Sequence, residues 1–84
     1  MDLSDAEVVL RAYEVIEAAL DAGDHDSAVP RMRAELEVLD RESLLRVAMA
    51  IAGETALVLI PRKDRRRLQI RIQQRRLGVM FLST

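Results

Sequence analysis

DRESLLRVAMAIAGETALVLI, residues 40–60, is the stretch whose reading decides the fold. Wound as a helix at 100° per residue, it places Leu44, Val47, Ile51 and Val58 on one side and Leu45, Met49, Ala52, Ala56 and Leu59 on another. A helix that is apolar on nearly every side must be surrounded. In a chain of 84 residues the cover has to come from the flanking segments, a second copy, a partner protein or lipid. Two readings of its second half compete. In one the helix runs to Ile60 and ends at Pro61, with Ala50 and Gly53 allowing a neighbour to approach and Glu54 facing a basic group. In the other the helix stops at Ala52, Gly53 caps it, and TALVLI becomes a buried strand. Only 17 residues run from Leu44 to Ile60, and they include Arg46 and Glu54. Length and charge both argue against a membrane span.

Before this stretch the chain reads as two helices. Ser4 and Glu7 have the spacing of a capping box, and Leu3 and Val8 occupy the positions of a hydrophobic staple. A helix over 5–22 follows, with Gly23 placed as its left-handed end. Its apolar arc, from Val8, Ala12, Val15 and Ala19 round to Val9, Tyr13, Ile16 and Leu20, is wide enough to touch two neighbours. Glu7 and Arg11 stand in the favourable i, i+4 order. Asp26 or Ser27 is expected to cap the second helix, with Pro30 tolerated in its first turn. Val29, Met32, Leu36 and Leu39 form a narrow seam suited to one partner helix. Asp40 caps the third helix, and Leu39 and Leu44 again sit in staple positions.

Beyond the stretch lies RKDRRRLQIRIQQRR, residues 62–76. Arg62, Lys63, Arg65, Arg66, Arg67, Arg71, Arg75 and Arg76 make a field that attracts phosphates or an acidic partner. Propensity favours helix here. Periodicity favours strand, because on a helical wheel Leu68 and Ile72 lie opposite Ile70 and Leu77. The expected fold is all-α, a small bundle of three to four helices with an apolar central helix. The alternative is α+β, three helices followed by a meander of TALVLI, LQIRI and GVMFL, with Gly78 as a break.

Charge divides the chain. Residues 1–42 carry 4 Arg against 12 acidic groups, a net of −8, and residues 43–84 carry 9 basic against 2 acidic, a net of +7. The chain thus reads as one small domain, 1–84, with an acidic helical half and an apolar then basic half. Arg supplies 12 of the 13 basic residues, Lys63 is the sole lysine, and there is no Asn. This bias against AT-rich codons is expected of a GC-rich genome, such as that of an actinobacterium or its phages. The acidic start lacks the basic region of a signal peptide, so a cytoplasmic location is expected.

Composition also narrows function. A chain this short buries only about 60–65% of the surface it exposes unfolded. With no cysteine, disulfide staples and thiolate metal sites are ruled out. Self-association or a protein partner is the expected way to complete the core, and Met32, Leu36, Leu39, Leu57, Val79 and Phe81 are the candidate interface residues. Tyr13 and Phe81 are the only aromatics, which weakens readings that rest on base stacking. His25, between Asp24 and Asp26, lacks the companions of a metal or acid–base site. No phosphate loop, triad or cysteine nucleophile is present, so neither catalysis, a cofactor nor a small-molecule substrate is expected. The expectation is a non-enzymatic interaction or assembly protein, a phage or actinobacterial accessory or regulatory protein by its composition. The alternative is a nucleic-acid-binding module acting through residues 62–76.

Overall fold

The computed structural model describes residues 2–82, and among them every regular element is helical. Helix α1 spans Asp5–Ala22, α2 His25–Leu36 and α3 Arg41–Gly53. A wide π-helical segment, Glu54–Leu59, continues α3 without a break, a single 3₁₀ turn covers Arg62–Asp64, and α4 spans Arg65–Leu82. The chain is a small all-α bundle, and the strand alternative for residues 55–82 is excluded.

Local chemistry accounts for the boundaries. The Ser4 hydroxyl accepts from the Glu7 amide and the Glu7 carboxylate accepts from the Ser4 amide, each at 3.1 Å, so two of the open donors at the start of α1 are satisfied. The Ser4 amide that donates to it, with the Ser4 hydroxyl beside it, holds the Glu7 carboxyl below its ordinary value. Leu3 and Val8 close the staple as buried neighbours in one cluster. Gly23 ends α1 at φ 81°, a conformation that carries a steric penalty for residues with a Cβ.

The second helix starts earlier than its sequence indicates. Asp24, extended at φ −137°, takes the capping position and accepts from the Ser27 amide at 2.9 Å and the Ser27 hydroxyl at 3.0 Å. Asp26 therefore lies inside the first turn, where its charge favours the helix start. Pro30 consequently falls beyond the first turn, where it removes a backbone hydrogen bond. Asp40 caps α3 as expected, accepting from the Ser43 amide at 2.8 Å.

Gly53 is helical at φ −66°, so it does not cap α3. A Cβ there would meet nothing within 4 Å, and no neighbour within the chain uses the space. The helical path ends where Ile60 turns extended, at φ −90° and ψ 124°. That is the conformation a following proline imposes. Gly78 is likewise no break, because α4 runs through it.

The helix at the centre of the packing is α1. Both α2 and α3 lie along it, as its wide apolar arc requires. Leu3, Val8, Ala12 and Val47 form the buried cluster, with Leu36, Leu39, Ala50 and Ile51 packed against it. Ala12 and Val47 are fully enclosed, the alanine giving α3 room to approach α1. Arg46 ties α3 to the start of α1, donating to the Leu3 carbonyl at 2.6 Å and to Asp5 at 2.8 Å. Arg11 pairs with Glu14 at 3.3 Å and with Glu35 of α2 at 3.4 Å, so its partners are these rather than Glu7.

Candidate interaction surface

Helix α3 buries one side only. Ser43 and Val47 are enclosed and Ala50 and Ile51 pack on the core. On the opposite side Leu45, Ala48, Met49 and Ala52 are exposed, Met49 by 67%. Their i, i+3, i+4, i+7 spacing makes one continuous apolar face, and the two alanines make it shallow enough for another helix to approach. The π-helical segment extends the exposure through Leu57, Val58 and Leu59.

A side-chain hydrogen bond ties this extension to the bundle. The Tyr13 hydroxyl donates to Glu54 at 2.8 Å, joining α1 to the first residue of the π-helical segment. Glu54 thus faces a phenol rather than a basic group. The hydrogen bond to Glu54, aided by burial and by the carboxylate charge, raises the Tyr13 pKa above its ordinary 10.0.

Helix α4 leaves the bundle after Pro61. The axis turns by 103° between Arg41–Leu59 and Arg62–Leu82. Arg65 fixes the corner by donating to the Leu57 carbonyl at 2.9 Å, while its Nε is buried without a partner. Among the described residues α4 packs chiefly on the turn that leads into it, and every residue from 71 to 82 is exposed. On the wheel its apolar residues form two opposed stripes, Leu68, Ile72 and Val79 against Ile70, Leu77 and Phe81. Among the described residues no single helix is long and apolar enough to cross a membrane. Only the bent pair of 41–59 with 62–82 meets such a test, by length and composition.

The candidate residues separate into two groups. Leu36 and Leu39 pack on the core and Met32 is half-buried, so the α2 seam serves the chain's own bundle. Leu57, Val79 and Phe81 are exposed by 62%, 52% and 80%. Arg62, Lys63, Arg66, Arg67, Arg71, Arg75 and Arg76 are exposed and make no ion pair among the described residues, the acidic groups of the bundle lying elsewhere. The uncovered face of α3 is the side that Leu45, Met49 and Ala52 share in the sequence, with Ala48 added, and it lies outside the interface residues expected from the sequence. His25 is the exposed first residue of α2, and the carboxylate beside it, Asp24, is engaged in the cap. The clefts along α4 are open, and each is lined by residues of that helix and its approach. Comparison with protein-family models, curated proteins and solved structures finds no match to this chain.

Proposed function

We propose that this chain is a small, non-enzymatic interaction or assembly protein. Residues 3–53 form a body, and the outer face of α3 together with α4 forms the surface it offers to a macromolecular partner. The observation that supports this reading is the apolar area left open. Leu45, Met49, Leu57, Val58, Leu59, Ile70, Ile72, Leu77 and Val79 lie on one continuous run of chain and all stand exposed. Exposed apolar side chains concentrated in this way on one segment of the chain point to an interaction site. The composition fits an accessory or regulatory role in a GC-rich actinobacterial or phage setting.

A second reading has its own support. The seven basic residues without ion pairs in 62–76 fit a nucleic-acid-binding segment, in which phosphates supply the missing charge. Size-exclusion chromatography with light scattering, at about 0.1 M and about 1 M salt, separates the two, because screening weakens charge contacts and leaves apolar burial intact. The interaction reading expects an assembly that persists at high salt with no absorbance from co-purifying nucleic acid. A monomer carrying nucleic acid that high salt strips away would overturn it.

A further inference from the structure

We propose that α4 is an exchanged arm: in a dimer of this chain, each α4 lies on the outer α3 face, Leu45, Ala48, Met49 and Ala52, of the other copy. This rests on the interaction reading above and names its partner. Three observations commit the surface to a second copy.

The first is area. The chain exposes 6907 Å², whereas a compact monomer of this mass exposes about 5,000 Å². Its radius of gyration is 14.6 Å, against about 12 Å for a compact domain of this length. The excess of about 1,900 Å² per chain is more than twice the roughly 800 Å² per partner of a standard interface, and it falls in the range of obligate dimers.

The second is charge. Residues 2–53 carry 5 basic and 12 acidic groups, a net of −7. The connector 54–64 carries 2 of each and is neutral, and α4 carries 6 Arg with no acid, a net of +6. The molecule is therefore an acidic body joined through a neutral elbow to a basic arm of nearly equal and opposite charge. The arm does not lie on its own body, since Pro61, the 103° turn and the Arg65 contact to Leu57 direct it away. The acids that offset the arm lie outside α3, mostly on α1 and α2, while α3 itself carries Arg41, Glu42 and Arg46. The charge match is therefore to the second copy's body as a whole. The first copy's body receives the second arm in turn, and the contact closes on itself. Nucleic acid is a poorer match, because the six arginines encircle α4 instead of forming one face and the body is a polyanion.

The third is pattern. Two apolar stripes on opposite sides of α4 call for two neighbours. Reciprocal exchange provides them, with the other copy's α3 on one side and its α4 on the other, across the twofold axis.

The absence of native cysteine makes the test direct. Full-length chains carrying Met49→Cys are mixed with chains carrying Ile72→Cys or Leu77→Cys, oxidised, and resolved by mass. A disulfide requires Cα atoms within about 7 Å. Exchange predicts that one arm thiol links to the thiol at position 49 of the other chain, while the opposite arm thiol links to its own counterpart. A dimer whose links join only position 49 to position 49 would overturn the exchange and leave the interaction reading standing. A link within a single chain carrying both substitutions would show α4 folding back, with the same consequence. A monomer at about 100 μM, well above the dissociation constants of obligate pairs, would overturn the exchange, and one that carries nucleic acid stripped by high salt would overturn the interaction reading as well. A charge variant guards against a misleading failure to fold. Arg66→Glu with Arg67→Glu changes only exposed positions. It should weaken the dimer at least about tenfold at low salt, with the gap closing near 1 M. An unchanged dimer at low salt would remove the arm from the interface.

Discussion

Helices α1 and α4 are both 18 residues long and both rich in aliphatic side chains, yet one is the centre of the molecule and the other stands in solvent. Arrangement makes the difference. The apolar residues of α1 gather into one broad arc, with its carboxylates on the remaining third of the circumference. Two helices therefore cover it at once. Those of α4 divide into opposed stripes with arginines between them, so no single surface can cover both. Burial follows the angular grouping of apolar residues rather than their number. The same contrast runs across α3, where Val47 is enclosed and Met49, two residues on, is 67% exposed.

The two faces of α3 offer the strongest way to break this comparison. Val47→Asp buries an unpaired charge against Ala12 and should cost at least about 3–5 kcal/mol, enough to unfold much of the population of a small domain. The loss is read as collapse of the cooperative thermal transition in circular dichroism. Met49→Asp makes the same chemical change on the outer face and should leave helicity intact while abolishing association. If Met49→Asp unfolds the chain as Val47→Asp does, the outer face is not a surface.

Smaller effects sharpen the picture of α1. Ser4→Ala removes the capping hydroxyl and should cost about 1 kcal/mol, measured as a lowered urea midpoint. The carboxyls of Glu7 and Asp24 are held below their ordinary 4.5 and 3.8 by hydrogen bonds from Ser4 and Ser27. Their folded values lie below their unfolded ones, so the stability they contribute is present above the ordinary values and is lost as pH falls through the folded ones. Ser4→Ala keeps the backbone amide that is the main cause of the Glu7 shift and loses only the hydroxyl's part, so its acid titration should show a slightly shallower loss than the parent below pH 4.5. Tyr13 behaves oppositely. Its folded pKa is raised, so its contribution is complete below 10.0 and is lost as pH rises through the folded value. Tyr13→Phe should remove that alkaline limb, and an unchanged profile would take the Glu54 contact out of the account.

The smallest effect concerns α4. Gly78 is helical and a Cβ there would meet nothing within 4 Å. Gly78→Ala should therefore add helix content and up to about 1 kcal/mol of helix stability without touching the body. A loss of helicity would contradict a continuous α4.

Much of this was legible in the residues themselves. The Ser4 and Glu7 capping box, the Gly23 end, the Asp40 cap and the two-neighbour arc of α1 are local or periodic signals, and each has its structural counterpart. The start of α2 falls two to three residues ahead of the expected Asp26 or Ser27 because Asp24, Asp26 and Ser27 are all competent caps, and the extended backbone at Asp24 decides among them. TALVLI was ambiguous because its β-branched residues suit a strand, whereas its continuity with α3 and the Tyr13 contact hold it in a wide helical turn. The surface was harder to read. A helix that is apolar all round announces that it needs cover, but which side the chain itself covers depends on long-range packing against Ala12. That decision is what leaves Leu45 and Met49 outside.

Amide hydrogen exchange along the chain, followed as protein concentration is lowered, tests the central claim most directly. The account predicts that α4 and the outer residues of α3 are protected when the protein is concentrated and lose protection on dilution. Amides of α1 around Ala12, closed within the body, should stay protected throughout. Protection of α4 that does not depend on concentration would contradict the account, because its own chain would then cover it, and so would an α4 left unprotected at every concentration.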